Sequence, residues 1–314
     1  MLKYTLKRLL QFIPVFLGVT LLTFILLYIV PGDPIQNILG QRANPEQVER
    51  LREEYGLNDP VIEQYGSFLW RAIRFDFGKS FITKLPVSKM IAEKLPYTIA
   101  LTVVSIIYAV ISGVIIGIIA AVFRGKWIDK LVMVITLLFV SMPVFWFGII
   151  LILVFGLQLR WLPMSGVGSS PWDIQYLILP ALTLGTRSAA YLARMTRSYM
   201  LEILSQDYIR TARAKGISEK LVLFKHALKN VAIPIMTIIA LDFGSYLNGA
   251  VLTEKIFSRP GIGRYTITAI TKRDYSVILG TVLFAAVIFS VINLLTDIMY
   301  GFLDPRIRFD KKTE

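Results

Sequence analysis

The sequence contains no cysteine and only one histidine, His226. It can therefore form neither a disulfide nor a thiolate metal site, and a lone histidine cannot form a His-pair site. The phosphate-binding pattern G-x-x-x-x-G-K-[ST] is also missing, since Gly125-Lys126 is followed by Trp127, and no G-x-S-x-G nucleophile elbow occurs. These absences predict that the chain catalyses nothing itself and holds no metal and no cofactor of its own.

Charged residues are also scarce, at 18% of the chain, whereas apolar residues make up 55% and the mean hydropathy is +0.63. A soluble domain has roughly 25% charged and about 45–50% apolar residues. Here the apolar excess lies in six runs that approach or exceed the ~20 residues needed to cross a bilayer. The runs are Leu9–Val30, Tyr97–Phe123, Leu131–Leu157, Tyr176–Ala193, Val231–Leu252 and Val277–Phe302. We therefore predict an all-α integral membrane protein with six transmembrane helices.

The first run is followed by Pro31-Gly32-Asp33-Pro34 rather than by a small-residue cleavage site, which favours a retained helix over a signal peptide. Six spans place both termini on one side. The termini and the loops at 124–130 and 194–230 carry 18 Lys and Arg, against 6 in the loops at 158–175 and 253–276. The long 31–96 segment is left out, because segments of this length translocate largely regardless of charge. Both termini are therefore predicted to be cytoplasmic.

Four regions follow from this topology. They are residues 1–30 (cytoplasmic N-terminus and first span), 31–96 (an extracytoplasmic helical segment), 97–303 (a core of five spans) and 304–314 (a cytoplasmic tail). Within the extracytoplasmic segment, Asn44-Pro45 predicts a helix that ends at Tyr55-Gly56. A second helix is predicted from Asp59-Pro60, and a third from Pro86 that ends before Pro96.

The 194–230 loop between the fourth and fifth spans is basic and helix-capable. Ser205 or Asp207 can cap a helix with a basic last turn, and Gly216 tolerates the positive φ of a sharp turn. Ser218 can cap a second helix that runs into the fifth span. The loop is therefore predicted to form a helix–turn–helix that presents a rigid knob to a soluble partner.

Asp242 and Asp297 fall within spans, where carboxylates are costly and usually face the bundle interior or a wet cavity. Asp297 lies near the cytoplasmic end of its span, so snorkelling or a nearby cation explains it. Asp242 is nearer mid-span, with Asn248 downstream. Two interpretations stay open: Asp242 and Asn248 line a pathway, or Asp242 makes a structural interhelical hydrogen bond. Arg187 is a candidate partner for Asp242.

The loop from Asp207 to Gly216, with His226-Ala227-Leu228-Lys229-Asn230 after it, resembles the cytoplasmic EAA loop of ABC importer permeases, above all the dipeptide/oligopeptide branch. The general Glu-Ala-Ala pattern is replaced by Thr211-Ala212-Arg213, a departure typical of that branch. Six further segments, in order along the chain, resemble the same branch. They are Leu57-Asn58-Asp59-Pro60, Asp76-Phe77-Gly78, Trp161-Leu162-Pro163, Pro260-Gly261-Ile262-Gly263, Arg273-Asp274-Tyr275 and Asp304-Pro305-Arg306-Ile307-Arg308. The resemblance therefore covers essentially the whole chain.

The resemblance implies a type I ABC importer permease fold, in a bacterial or archaeal cytoplasmic membrane, that imports di- or oligopeptides. The implied partners are a second, homologous permease, two ABC ATPase domains that hold ATP and Mg²⁺, an extracytoplasmic solute-binding protein and membrane lipid, with no nucleic acid. In such permeases the short helix of the loop lies in a groove of the ATPase. The residues implied in this contact are Tyr208, Arg210, Thr211, Ala212, Arg213, Ala214, Lys215, Gly216 and His226.

Three alternatives stay open from the sequence. A nickel-complex importer shares these motifs. A membrane-anchored helix-turn-helix DNA-binding protein would use residues 206–229, although both ends of this segment run directly into spans and leave little room to reach a major groove. A stand-alone secondary transporter would need no nucleotide motif, but would leave the loop without a purpose. The basic helix could also rest on anionic lipid headgroups.

Overall fold

The computed structural model describes residues 2–29, 44–54, 56 and 58–303, and the regular structure in this part of the chain is helical, with one isolated bridge between Lys79 and Pro86. Several sequence predictions lie outside the described residues. They concern residues 30–43, Leu57, the tail motif from Asp304 to Arg308, and the side chains of Asn248 and Asp297.

The described helices follow one another in the order α1 (Leu2–Ile29), α2 (Pro45–Glu54), α3 (Val61–Ile73), α4 (Val87–Val122), α5 (Trp127–Ser141), α6 (Val144–Leu151), α7 (Ile174–Leu204), α8 (Asp207–Ala214), α9 (Glu219–Leu221), α10 (Leu228–Gly249), α11 (Val251–Ile256), α12 (Ile262–Lys272) and α13 (Tyr275–Leu303). Two π-helical segments, Ile152–Gln158 and Val222–Ala227, continue α6 and α9.

The predicted short helices of the extracytoplasmic segment are confirmed in part. Helix α2 begins at Pro45, α3 begins directly after Pro60, and Gly56 between them has φ +63°. The prediction that a third helix ends before Pro96 is wrong, because α4 begins after Pro86 and continues through Pro96. A proline removes one backbone hydrogen bond, which membrane helices tolerate when their neighbours hold them.

The third predicted span, Leu131–Leu157, is not one straight helix. Helices α5 and α6, with the π-helical segment that follows α6, meet at an angle of 105°. The break lies at Met142, whose ψ of 131° is extended. A residue before proline is driven out of the helical region by the proline ring, so Pro143 accounts for the bend.

Two helices of the described residues are long and apolar enough to cross a membrane unaided, Val87–Val122 and Tyr275–Leu295. Two bent pairs of helices could each add a further crossing, if the two halves of the pair form one span. One is the pair of α5 and α6, and the other is Glu219–Ala232 with Pro234–Leu247, whose halves meet at 51°. The helical, membrane-crossing character predicted from the sequence is therefore confirmed, whereas the number of six spans stays a prediction.

The chain divides into two compact units, residues 1–98 with 260–291, and residues 99–259 with 292–314. In the first unit, α1 contacts α3 through a 3.0 Å hydrogen bond between the hydroxyl groups of Thr20 and Tyr65. A second cluster joins the start of α4 to α12 and α13. Its buried members are Val87, Ile91, Ile262, Ala269 and Val277.

The second unit is built around α7, which buries fifteen of its 31 residues against neighbouring helices. Helices α5, α6 and α10 pack on it. Its contact with α4 is close because glycines lie there: a Cβ added at Gly113 would lie 2.7 Å from the Ala189 carbonyl oxygen, and one at Gly117 would lie 2.6 Å from the Ala193 carbonyl oxygen. This Gly-x-x-x-Gly spacing lets two backbones approach closely, as is common between membrane helices.

We expect Gly117→Ala to destabilise the protein, because the added Cβ would also lie 2.6 Å from the Cβ of Thr196, within a buried contact. Overpacking of this kind costs about 1–3 kcal/mol, enough to lower the unfolding midpoint by several degrees. Thermal unfolding of the purified protein in detergent measures the effect. Gly18→Ala is the matched control, since a Cβ there meets nothing within 4 Å. Equal midpoints for the two variants would contradict the close contact.

Candidate functional site

The loop between α7 and α10, which we call the cytoplasmic corner after its predicted side of the membrane, contains the predicted turn at Gly216. Gly216 has φ +76° and follows directly after α8 and Lys215. Neither predicted cap of α8 is found, whereas Ser218 occupies the N-cap position of α9 as predicted, without a capping hydrogen bond from its side chain. Gln206 occupies the N-cap position of α8 and its side chain makes no capping hydrogen bond. The Ser205 hydroxyl instead donates to the carbonyl oxygen of Glu202, 2.6 Å away, and Asp207 lies inside the first turn, where its charge favours the helix dipole.

One face of α8 is apolar and packs on its own chain. Ile209 and Ala212 are buried together with Val222, and Ile203 and Leu204 at the end of α7 lie against this cluster. Because Ala212 is only 7% exposed, it supports the corner and does not present a surface to a partner. The remaining face of α8 is exposed. It carries Tyr208, Arg210, Thr211, Arg213 and Ala214.

Polar contacts fix α8 to the segment that follows the turn. The Arg213 guanidinium makes two hydrogen bonds to the Glu219 carboxylate, at 2.7 and 3.3 Å. The Asn230 amide donates to the Tyr208 hydroxyl at 3.0 Å and to the His226 carbonyl oxygen at 2.8 Å. Arg213 therefore pairs with Glu219 of its own chain. His226 takes part through its backbone carbonyl group, which accepts a hydrogen bond from Asn230 at the start of α10.

The π-helical segment changes which side chains face outwards. Val222 and Ala227, five positions apart, are both fully buried, as the i to i+5 spacing of a π-helix allows. Phe224 is consequently 61% exposed, and Leu221 in α9 is 46% exposed. Sequence reasoning missed this apolar patch, because the run Leu221-Val222-Leu223-Phe224 does not show which members are buried unless the π-helical register is known.

The polar groups predicted within spans form a small network in the second unit. Asp242 is half-buried, and the charge of Arg187 acts on its carboxylate without a salt bridge between the two side chains among the described residues. The Tyr246 hydroxyl donates to the Ser188 hydroxyl oxygen at 2.5 Å and lies 3.0 Å from the Leu184 carbonyl oxygen. The hydroxyl groups of Tyr246 and Ser188 therefore join α10 to α7. Both interpretations of Asp242, as a residue that lines a pathway or as a structural interhelical hydrogen bond, stay predictions.

An ion pair joins the cytoplasmic turn before α5 to α7. The Arg197 guanidinium makes two hydrogen bonds to the Asp129 carboxylate, at 2.5 and 2.7 Å, and Asp129 also accepts from the backbone N–H of Gly125 at 2.9 Å. Asp129 is buried. The basic turn at 124–130 is therefore fixed to the same helix that carries the cytoplasmic corner.

In the first unit, Asp274 of the motif Arg273-Asp274-Tyr275 holds the loop that follows Asp76-Phe77-Gly78. Its carboxylate accepts a 2.5 Å hydrogen bond from the Ser80 hydroxyl and a 3.2 Å hydrogen bond from the backbone N–H of Phe81. The preceding residue, Arg273, ends α12 in the left-handed conformation, with φ 54°. The loop between Gly78 and Pro86 is thereby held at the α12–α13 corner.

Tyr265 of α12 lies near this corner. Burial raises the pKa of its phenol to about 12, and the charges of Asp274 and Glu93 act in the same direction. The phenol therefore stays protonated at neutral pH, and its hydroxyl lies 2.9 Å from the sulfur of Met90. It links α12 to the start of α4.

A buried arginine holds the outer loop of the second unit. Arg259 is fully buried, and its guanidinium donates to the carbonyl oxygens of Pro171 at 3.0 Å and Tyr176 at 3.4 Å. The backbone N–H of Gly166 donates to the Phe257 carbonyl oxygen at 2.9 Å. Among the described residues, no group of three or more acidic or histidine side chains is placed to hold a metal ion.

The fold of this chain is similar to that of a solved membrane protein chain. A chain of the MetNI methionine ABC transporter, solved in inward facing conformations, aligns with a TM-score of 0.55 and 17% identity, covering 68% of this chain and 96% of that chain. At this identity the likeness concerns the fold alone.

Sequence comparison gives the family. Residues 113–309 match the family described as the inner membrane component of binding-protein-dependent transport systems, and residues 1–102 match its N-terminal family. The chain belongs to this family. It is 43% identical to the dipeptide transport system permease protein DppB of Alkalihalophilus pseudofirmus, with 98% of this chain and 100% of that protein covered. It is 42% identical to the glutathione transport system permease protein GsiC of Escherichia coli K12, with the same coverage.

We expect Asp274→Ala to release the loop between Gly78 and Pro86, because Ser80 and Phe81 lose their shared acceptor. Hydrogen bonds to a charged group contribute about 1.5–3 kcal/mol, which corresponds to a lower unfolding midpoint by roughly 5–10 °C. Thermal unfolding and limited proteolysis within the loop measure the change. Asp76→Ala is the control, since the exposed Asp76 carboxylate accepts only from the nearby Gly78 N–H. Equal effects of the two substitutions would refute the anchoring role of Asp274.

Proposed function

We propose that this chain is one permease subunit of an ATP-driven importer of di- or oligopeptides. Its membership of the inner membrane component family and its likeness to dipeptide and glutathione permeases support this function over nickel import. In the assembly, this subunit pairs with a second, homologous permease, two ABC ATPase domains bind below, and a solute-binding protein delivers the peptide from outside.

The observation that carries the proposal is the construction of the cytoplasmic corner. Helix α8 is fixed to α7 through the cluster of Ile209 and Ala212 with Ile203 and Leu204, and to α10 through the hydrogen bond between Tyr208 and Asn230. A push on the exposed face of α8 therefore moves both helices together. This is the mechanical property required to transmit ATPase closure to a pathway between helices.

The exposed side chains of the corner suit a protein partner. Phe224 and Leu221 form an apolar patch beside exposed Tyr208 and Arg210. Aromatic and arginine side chains are the residues that most often carry the binding energy of an interface. We assign this surface to the ATPase and regard the exposed cations around it as its electrostatic rim.

A DNA-binding role fits this geometry poorly. The segment after Gly216 has only three α-helical residues before the π-helical turns, and it then continues directly into α10. No free recognition helix remains that could enter a major groove. The same continuity explains why the basic residues of the loop lie close to the membrane.

Uptake by the reconstituted complex tests the function. We expect proteoliposomes that contain both permeases and the ATPases, supplied with binding protein and ATP, to accumulate a labelled dipeptide or tripeptide. An excess of unlabelled peptide should compete, and a nickel complex should not. Accumulation of nickel without peptide would show that the complex imports a nickel complex and not peptides.

The same preparation tests the docking surface. Phe224→Ala removes an exposed ring, so the subunit should fold normally while its affinity for the ATPase falls about tenfold, the effect of losing ~1.4 kcal/mol at an interface. The control is Leu157→Ala, which truncates another exposed apolar residue, 54% exposed, at the far end of the α6 segment. Undiminished ATPase binding by Phe224→Ala would move the docking surface elsewhere.

We also propose six spans with both termini cytoplasmic, supported by the 18-to-6 excess of Lys and Arg. The absence of native cysteine allows a direct test. Single Lys126→Cys and Lys215→Cys substitutions should resist an impermeant thiol reagent in intact cells, and Glu49→Cys and Ser170→Cys should react. All four side chains are exposed, so burial does not confound the comparison. Labelling of Lys215→Cys from outside would reverse the orientation and remove the ATPase contact.

A further inference from the structure

Helix α7 has one open face, and that face is polar. About half of the helix is buried, whereas Arg187, Tyr191, Arg194 and Ser198 are exposed. Their spacings of four, three and four residues place them in a single stripe along the helix. Arg187 lies within the predicted fourth span, Tyr176–Ala193, and Arg194 directly follows it. We call these four residues the α7 stripe.

The same unit shows what a lipid-facing stripe looks like. On α4, the exposed positions Ile107, Ile111 and Ile115 are also spaced along one face, and they are 53%, 56% and 52% exposed. An all-isoleucine stripe suits hydrocarbon. An arginine in the middle of a span is costly against lipid and faces a bundle interior or a water-filled cavity instead. The α7 stripe therefore faces something polar.

The arginines of the α7 stripe are also not used to hold this chain together. In the described part of the chain, no hydrogen bond or ion pair joins Arg187 or Arg194 to another residue. Arg197, on the adjacent face of the same helix, makes a two-fold contact with Asp129. Asp242 of α10 exerts an electrostatic attraction on Arg187, but no salt bridge joins the two side chains among the described residues. On α7, Arg197 is therefore held in a structural ion pair, whereas Arg187 and Arg194 are not.

Space is open beside the upper arginine. A small open cleft between α5, α6 and α7 is lined by Arg187 with Thr183 and Thr186, and otherwise by the apolar side chains of Phe139, Met142, Val144 and Phe147. The stripe itself contains no acidic residue between Arg187 and Ser198. The stripe therefore carries two cations, and the exposed Glu202, four residues beyond Ser198, is the next position of the same row. Between Arg187 and Ser198, an anion is the ligand that the charge selects.

We propose that the α7 stripe lines the aqueous path through this permease and that Arg187 and Arg194 bind the carboxylate of the peptide in transit. This inference rests on the proposed function in peptide import. Every peptide with a free C-terminus carries that carboxylate whatever its side chains, and guanidinium groups bind carboxylates in a planar, two-point geometry. Seven residues separate the arginines by about 10 Å along the helix. The carboxylate can therefore pass from one cation to the next without leaving the path.

The lining role is tested by thiol labelling of the assembled complex in lipid nanodiscs. Arg187→Cys, Tyr191→Cys, Arg194→Cys and Ser198→Cys, made singly in the cysteine-free chain, should react with charged methanethiosulfonate reagents. Cysteine in place of Ile107, Ile111 or Ile115 should not, because hydrocarbon excludes charged reagents. If the α7 stripe reacts in the isolated chain but not in the complex, it is an interface with the second permease and the lining role is wrong.

The charge of the path is measured by comparing how fast an anionic and a cationic methanethiosulfonate reagent label the Tyr191→Cys variant, which keeps both arginines. Two cations about 6 Å away favour an anionic reagent over a cationic one of equal size by roughly tenfold or more. This ratio should fall towards unity when Arg187→Gln and Arg194→Gln are added. A ratio that does not change would overturn the assignment of an anion-binding path. These measurements need no transported substrate, so they stand even if the complex does not import peptide.

The carboxylate contact is tested by uptake. Arg187→Gln should reduce the rate of peptide uptake about tenfold, and Arg187→Lys should recover part of it, since the charge returns without the two-point geometry. Ile111→Ala, on the lipid-facing stripe, should keep the parental rate. Parental uptake by Arg187→Gln and Arg194→Gln would refute carboxylate binding, whereas absence of peptide uptake in the parental complex would refute the proposed function instead.

Discussion

The close contact between α4 and α7 is the constraint on which the second unit depends. Within a bilayer, helices gain little from hydrophobic burial against each other, and close van der Waals contact must hold them together. Gly113 and Gly117 on α4 provide that contact, and Gly185 does the same on α7, where a Cβ would lie 2.6 Å from the Ser105 carbonyl oxygen. Any larger side chain at these positions would separate the backbones. The position of α7 then determines everything attached to it.

Helix α7 connects three features that matter for transport. One end lies against the loop held by Arg259, its middle carries Arg187 and Ser188, and its other end continues to Leu204, where the cytoplasmic corner begins. Because the helix is continuous, a displacement of α8 is applied directly to the residues of the α7 stripe. In the assembly that we propose, coupling then requires no separate relay between the ATPase surface and the pathway.

The first unit shows a different use of sequence motifs. The segments Asp76-Phe77-Gly78 and Arg273-Asp274-Tyr275 are far apart in the sequence but close in the fold. The hydrogen bond from Ser80, just after the first segment, to Asp274 in the second joins residues 194 positions apart. Gly280 on α13 lets this helix pack closely on the start of α4, since a Cβ there would lie 2.7 Å from the side chain of Val87. The loop at 79–86 is thus held in place by contacts with residues distant in the sequence.

Local physical chemistry determined much of this protein from the sequence alone. The positive φ of Gly216, the starts of α2 and α3 after Asn44 and Pro60, and the membrane class follow from backbone preferences and composition, which act over a few residues. The motif resemblance added the family. These predictions hold because no distant contact is needed to decide them.

Tertiary contacts decided the rest. An apolar run looks the same whether the helix is straight or bent by 105° at Pro143, and a basic loop does not show that Ala212 is covered while Phe224 is exposed. Asp129, 68 residues away in the sequence, decides which arginine of α7 is paired. It pairs with Arg197, whereas Arg187 and Arg194 lie on the open face. Periodicity gives the faces of a helix, but only the neighbours that pack on it determine which face remains for function.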